Sequence, residues 1–417
     1  MQKRYFEFIN KSVTPFHAIE NIKAELVENG YTELYEADSW SLAEGGKYFV
    51  CRNGSSILAF VNRGGSFMIA ASHSDFPALA VKGSEKLSAY LKLSVEKYGG
   101  GILYSWIDRP LGVAGRVVVS TESGVKSRAV DMGEFSAVIP SVAIHMRREV
   151  NDGVKLSPAK DMLPLAGLSG DFKASLAKCA GCEEDKILAY DLRLYNKARA
   201  TLVGLDNELV LAPRLDNLIS ARASLISFLD AETESTPILA VFDNEEVGSS
   251  TKQGANSTLL ADTLRRMCDN DEDYCRRLAG SFMISCDNAH ALHPNFPELA
   301  DKDNAPVMGE GVAVKYNSNQ AYTTDAVSDG VFRTICNKAG VKLQKYYNRA
   351  DMLGGSTLGS IANTKVSVMT VDIGLPQLAM HSATETCAVS DIESLESALR
   401  AFYNSTLEVK GADISIK

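Results

Sequence analysis

No stretch of this sequence approaches the ~20 uninterrupted apolar residues that a membrane-spanning helix requires, which excludes a helical membrane protein. The first residues, Met1 to Phe8, hold no long apolar segment followed by a small-residue cleavage site. A secretory leader is therefore not expected, and the expected compartment is the cytoplasm. Positive charge is in deficit: 43 Lys and Arg stand against 52 Asp and Glu, a net charge of −9, with no basic stripe. Neither nucleic acid nor an anionic membrane is expected as a partner. The eight cysteines are scattered, and Cys179 and Cys182 form one Cys-x-x-Cys pair with no second pair nearby. That falls short of a zinc ribbon, and the thiols are expected to be reduced. Internal repeats and low-complexity segments are also lacking.

What is present is a chain of 417 residues, 45% of them hydrophobic, too long for one ordinary domain and suited to two with real cores. Residues 12–30 carry a helix signature, with Thr14 to cap, Pro15 at the first helical position and Gly30 to end it. His17 lies in this helix and reads as structural. Strand-like runs at 57–62 and 67–72 follow, the second leading into Ser72-His73-Ser74-Asp75. From about 85 to 205 short β-branched runs alternate with turns, the texture of an inserted β-rich domain. Gly99-Gly100-Gly101 lacks the Lys-Ser/Thr ending of a phosphate loop and reads as a turn or tight packing. At 206 the α/β texture returns. Asp216 or Asn217 is placed to cap a helix running to about 230, an apolar strand at 237–242 ends in Asp243-Asn244-Glu245-Glu246-Val247-Gly248-Ser249-Ser250, and a helix is expected over 257–268. A strand at 280–286 ends in Asp287-Asn288-Ala289-His290, and another at 366–372 leads to His381.

Metal-competent residues thus follow four separate apolar strands: His73, the Glu245–Glu246 pair, Asp287 and His381. Asp216 stands at a helix start. Each has a bland reading, an acidic loop, a helix cap or a satisfied histidine. Together they occupy one kind of position. Strands alternating with helices imply an α/β fold with a mixed, mainly parallel sheet sandwiched by helices, and such sheets bind ligands beyond the carboxyl ends of their strands. Two histidines and several carboxylates without cysteine suit zinc, with manganese or cobalt as alternatives. Five ligands are too many for one catalytic zinc and fit two ions if a carboxylate bridges. One glutamate of the pair then remains free to move a proton, and Asp75 can hold the second ring nitrogen of His73. That is the chemistry of peptide hydrolysis.

These residues resemble the aspartyl aminopeptidase and vacuolar aminopeptidase I family of dinuclear metallopeptidases, nearly end to end. The resemblance is carried by Ser72-His73-Ser74-Asp75, Tyr98-Gly99-Gly100-Gly101, Asp108-Arg109, Ala143-Ile144-His145, Arg214-Leu215-Asp216-Asn217 and Asp243 through Ser249. It continues in Asp287-Asn288-Ala289-His290, Asn348-Arg349-Ala350-Asp351, Gly355-Ser356-Thr357 and Gln377 through Ser382. It implies a zinc-exopeptidase type of fold with catalytic parts 1–85 and 206–417 and an inserted dimerisation domain, 86–205. By resemblance His73, Asp216, Glu246, Asp287 and His381 match metal ligands, with Asp216 as the bridge. Glu245 matches the general base and Asp75 the carboxylate orienting His73. His145 matches a histidine contributed to a neighbouring subunit, and His290 a substrate-pocket residue. The family implies peptide substrates and a homo-oligomer, a tetrahedral dodecamer built from dimers. One departure stands out. The Lys-x-Asn of acidic-preferring members is present as Lys315-Tyr316-Asn317, but their Gln-Arg-Tyr reads Gln320-Ala321-Tyr322. Lys315 can pair with an acidic substrate side chain; the missing arginine opens the alternative of a broad or neutral-residue aminopeptidase. A metallo-deacylase or carboxypeptidase on the same sheet edge, and a catalytically inactive scaffold, are the remaining readings.

Overall fold

The computed structural model describes residues 1–352 and 354–417. Apolar runs buried on both sides build its centre. In Phe67–His73, Phe67, Ile69 and Ala71 pack to one face, while Met68 and Ala70 pack to the other. Thr236–Phe242 alternates likewise, Ile238, Ala240 and Phe242 against Leu239 and Val241. Strands of this kind need a layer on each face. One face is covered by the helices Pro15–Glu28, Leu215–Leu229, Ala326–Lys338 and Val389–Tyr403. The other is covered by Leu259–Arg266 and Leu358–Asn363, with Tyr274 of Asp271–Ala279. Each fully buried Leu, Ile or Phe contributes about 1.5–3 kcal/mol, so the two layers hold the sheet firmly beneath whatever its edge carries.

The central sheet has nine strands in the order Thr32–Leu34, Lys47–Arg52, Ser56–Val61, Thr236–Phe242, Phe67–His73, Phe282–Cys286, Met369–Gly374, Val312–Tyr316, Leu343–Tyr347. The four strands from Thr236–Phe242 to Met369–Gly374 run parallel, with antiparallel pairings on either side of them. The fold is the expected α/β, mixed and mainly parallel. A second sheet of six strands, Ala78–Leu87, Tyr90–Tyr98, Leu111–Thr121, Gly124–Asp131, Leu165–Gly167 and Ile187–Asn196, is antiparallel throughout and encloses a core of its own. It starts at Ala78, upstream of residue 85. A third sheet joins Thr201–Val203, Leu209–Ala212, Glu385–Ala388, Pro376–Leu378 and Ala289–His290.

Local differences from the sequence reading have physical causes. Thr14 does not cap its helix with its side chain; its hydroxyl pairs with His17 Nδ1 at 2.7 Å. The helix expected over 257–268 ends at Arg266, and a second one, Asp271–Ala279, starts under a cap in which Asn270 accepts the Asp273 N–H. Neither Asp216 nor Asn217 caps the helix Leu215–Leu229. Both have non-helical dihedrals inside its first turn, and Arg214 precedes them in the left-handed region. The kink releases the Asp216 side chain from capping and turns it to the sheet edge.

Candidate metal centre

The parallel strands deliver their carboxyl ends to one edge. His73 closes its strand level with Phe242, and Asp287 follows Cys286, which is level with Ile373. Glu245 and Glu246 lie in a single 3-10 turn after Phe242, entered through Asn244 at φ 63°. His381 comes from beyond Pro376–Leu378 of the small sheet, not straight from a central strand. It is a non-glycine residue at φ 67°, a conformation that costs roughly 1–2 kcal/mol. Two hydrogen bonds hold it there: its N–H donates to Glu385 Oε1 at 2.7 Å, and its carbonyl accepts the Ile102 N–H at 2.9 Å. The Asp216 N–H donates to Glu385 Oε2 at 3.0 Å.

The side chains converge as two triads that share one member. His73, Asp216 and Asp287 offer ligand atoms within 4.8 Å of one another, and so do Asp216, Glu246 and His381. Asp216 Oδ1 lies 3.4 Å from His73 Nε2, while Oδ2 lies 3.6 Å from His381 Nε2. Asp287 Oδ1 is 3.3 Å from His73 Nε2, and Glu246 Oε1 is 3.3 Å from His381 Nε2. Asp216 Oδ1 and Glu246 Oε1 are buried with no hydrogen-bond partner among the described residues. Buried carboxylate oxygens are destabilising unless something positive satisfies them, and imidazole nitrogens with carboxylate oxygens are the donor set of zinc. The residues therefore fit divalent ions. Glu245 also falls in a third grouping, with His73 and Glu246, its Oε2 4.0 Å from His73 Nε2.

Asp75 ties this edge together. Its carbonyl lies 3.0 Å from His73 Nδ1 and its Oδ1 3.4 Å, so Nε2 of that ring faces the cluster. Its Oδ1 accepts the Glu245 N–H at 3.1 Å, and its Oδ2 accepts the Glu246 N–H at 3.2 Å and the Tyr98 hydroxyl at 2.6 Å. The electrostatics follow from so many carboxylates in a dry site. Burial, then the charges of Asp287, Asp75 and Asp216, push Glu245 up to about 8 against the pull of His73. Burial and Asp216 raise Glu246 well above the carboxylate range. Burial alone would lower His73; Asp216, Asp287 and Asp75 outweigh it and raise it well above its usual value. Burial likewise opposes ionisation of Asp287, but Lys315 and His73 prevail and lower it.

The remaining candidates separate. Lys315 is buried at 2% exposure, and its ammonium donates to the Asp287 carbonyl at 2.9 Å, Asp287 Oδ2 at 3.1 Å and the Asn288 carbonyl at 3.0 Å. An ammonium has three donors, so these contacts saturate it. His290 lines a cavity of about 320 Å³ with Phe296, Leu299, Tyr346 and Gln377. Its ring has solvent-facing surface, yet burial and the Lys315 charge lower its imidazole. His145 stands exposed in a turn between Gly124–Asp131 and Leu165–Gly167. Glu385 was not singled out by sequence: it follows His381 by four residues with no motif signal, and only the fold reveals that it holds two candidate ligands by their backbones. Of the glycines at 99–101, Gly99 packs tightly: a Cβ on it would lie 3.2 Å from Glu246 Cβ, while one on Gly100 would meet His381 Nδ1 at an ordinary contact of 3.6 Å.

Residues 8–403 match the family model described as aminopeptidase I zinc metalloprotease (M18). A relative from Clostridium acetobutylicum, "Probable M18 family aminopeptidase 2", is 41% identical over 424 residues, covering 96% of this chain and 98% of its own. Among solved structures, one chain of a cryo-EM structure of the Ape4 and Nbr1 complex is 31% identical with a TM-score of 0.92, over 95% of this chain and 84% of that one. The S. cerevisiae mApe1 dodecamer is 25% identical with a TM-score of 0.84, over 96% of this chain and 95% of that one.

Proposed function

This chain belongs to the aminopeptidase I zinc metalloprotease (M18) family, and from that membership we propose that it removes N-terminal residues from peptides with two divalent ions bound at the sheet edge. It is a metalloaminopeptidase. His73, Asp216 and Asp287 would hold one ion, and Asp216, Glu246 and His381 the other, with Asp216 common to both. The observation that carries this reading is the division of Asp216: each of its oxygens addresses a different histidine. Zinc is the family's metal; manganese or cobalt suit the same donors.

When bound, such ions polarise the scissile carbonyl and acidify water to near neutrality. The protein's own groups do the rest. Glu245 takes the proton of the attacking water and returns it to the leaving amine, a task open to the carboxylate that stands at the rim of the cluster, its Oε2 4.0 Å from His73 Nε2. Asp75 keeps His73 in one tautomer and orientation, and its two bonds to the Glu245 and Glu246 N–H groups fix the turn that carries base and ligand. His290 and its cavity receive the N-terminal side chain. The likeness to the mApe1 dodecamer supports a homo-oligomer, read here as a tetrahedral dodecamer of dimers. In it residues 86–205, inserted between catalytic parts 1–85 and 206–417, make the dimer contacts, and the exposed His145 reaches a neighbouring subunit's site.

Two side-chain preferences differ in one residue. A preference for Asp or Glu needs Lys315 as the partner of the substrate carboxylate. A broad or neutral preference, the alternative that Ala321 opens, leaves Lys315 in its three present bonds. The test is turnover of Asp, Glu, Leu and Lys anilides with and without chelator, beside N-blocked peptides. Chelator-sensitive cleavage with N-blocked peptides refused is expected. Turnover that survives the chelator overturns the metal reading, cleavage of N-blocked peptides favours a deacylase, and faster turnover of Asp than of Leu anilide overturns the neutral preference.

A further inference from the structure

We propose that Tyr98 is a positioning residue for the metal centre, through which the six-stranded antiparallel sheet sets the geometry of the catalytic edge. The inference rests on the two-triad reading above. Tyr98 is the last residue of the strand Tyr90–Tyr98, which belongs to the second sheet. Its hydroxyl donates to Asp75 Oδ2 at 2.6 Å and accepts from Asn244 Nδ2 at 2.9 Å. From the same sheet, the guanidinium of Arg193 lies 3.7 Å from the centre of its ring. The ring is thus held from the second sheet, while the hydroxyl reaches across to Asp75 and Asn244, which follow two strands of the first.

A phenol has one proton to give, and here it goes to Asp75. Burial and then the Asp75 charge raise the phenol above its usual range, so the hydroxyl stays a donor at neutral pH. Besides Tyr98, the Asp75 carboxylate meets a backbone N–H on each oxygen, from Glu245 and Glu246, and the ring of His73. Tyr98 thereby sets a carboxylate that touches a ligand of each triad and the proposed base. The chain just beyond it continues the contact. Gly99, at φ +69°, lets the backbone lie against Glu246, and the Ile102 N–H holds the carbonyl of His381. Carboxylates behind metal-binding histidines are themselves hydrogen-bonded, and losing such support weakens metal affinity or activity by roughly 10–100-fold.

Tyr98→Phe tests this, because it keeps the ring under Arg193 and removes one oxygen. The control is Tyr195→Phe, which removes a hydroxyl from the same sheet where it donates to Asp131 at 2.9 Å. Zinc affinity of the full chain is measured by competition with a chromophoric chelator, and kcat and KM on the best anilide beside it. A zinc affinity lower by roughly 10–100-fold in Tyr98→Phe alone is expected, with kcat falling and KM held. An affinity within about twofold of the unsubstituted chain, or an equal loss in both variants, overturns the proposal and leaves Tyr98 a structural residue. The affinity arm needs no turnover. A chain that binds zinc but cleaves nothing would sink the aminopeptidase reading while still deciding the role of Tyr98.

Discussion

Glu245 and Glu246 are neighbours in the chain with different proposed tasks, and the difference lies in where their oxygens point. Glu246 Oε1 faces His381 at 3.3 Å and finds no hydrogen bond, whereas Glu245 Oε2 stops 4.0 Å from His73 and stays at the rim of the cluster. Glu245→Gln is therefore expected to retain zinc in full and to lower kcat by roughly 10²–10⁴-fold; metal analysis beside steady-state kinetics checks it. Zinc lost in proportion to kcat would instead make Glu245 a ligand. Glu385 makes the contrasting case. Its two oxygens accept the backbone N–H groups of Asp216 and His381, and no polar atom is spare. A glutamine has one acceptor oxygen, so Glu385→Gln leaves one buried N–H facing an amide donor, at a penalty of about 1–3 kcal/mol. The expected outcome is a lower urea midpoint together with weaker zinc retention. The pair 245–246 was legible in the sequence because two carboxylates at a strand end are conspicuous. Glu385 was not, because a lone glutamate near a histidine has no spacing that marks it.

Elements matter here through how closely they let backbones approach. Gly374 ends the strand Met369–Gly374, and a Cβ on it would lie 2.1 Å from the Asp287 carbonyl oxygen, the same oxygen that Lys315 binds. Backbone cannot yield as a flexible side chain can, so Gly374→Ala must push Asp287 away from His73. We expect poor folding yield, and in the soluble fraction a loss of zinc affinity out of proportion to any loss of melting temperature; chelator competition and thermal melts measure the two. A variant with normal affinity would mean that the strand end can shift without carrying Asp287. The central strands were readable because their apolar runs are long and uninterrupted, as in Phe67–His73 and Thr236–Phe242. The entry to Leu215–Leu229 was not, because Asp216 is a good capping residue and local propensity gives no sign that the chain kinks there. Leu343–Tyr347, at the sheet edge, has a weak pattern and becomes a strand only by pairing with Val312–Tyr316.

At the scale of the whole molecule, four carboxylates and two histidines from two sheets and a helix start are packed on one edge, and the fold tolerates this only with positive charge among them. Without metal, Lys315 answers Asp287 alone, and the rest of the charge has to come from protons. The folded values of Glu245 and Glu385, about 8 for each, lie above the ~4.3 of an unfolded glutamate, and Glu246 and His73 are raised as well. A group raised on folding contributes stability that is complete below its unfolded value and lost as pH rises through its folded value. All four act in the same direction, so the chelated protein should become less stable from pH 7 to pH 8. His17 and His290, lowered by burial, act in the opposite sense, but only near and below the unfolded histidine value of ~6.5. Buried thiols such as Cys286 begin to count only near the unfolded cysteine value of ~8.5, above this interval. Zinc reverses the trend at the site itself, because its ligands must be deprotonated and binding tightens as pH rises. The expected result is a melting temperature that falls between pH 7 and 8 in chelator and a zinc-induced rise that grows over the same interval, read by differential scanning fluorimetry. A zinc increment independent of pH would mean that protons do not hold these carboxylates together, and the cluster would then owe its geometry to the Asp75, Glu385 and Tyr98 hydrogen bonds alone.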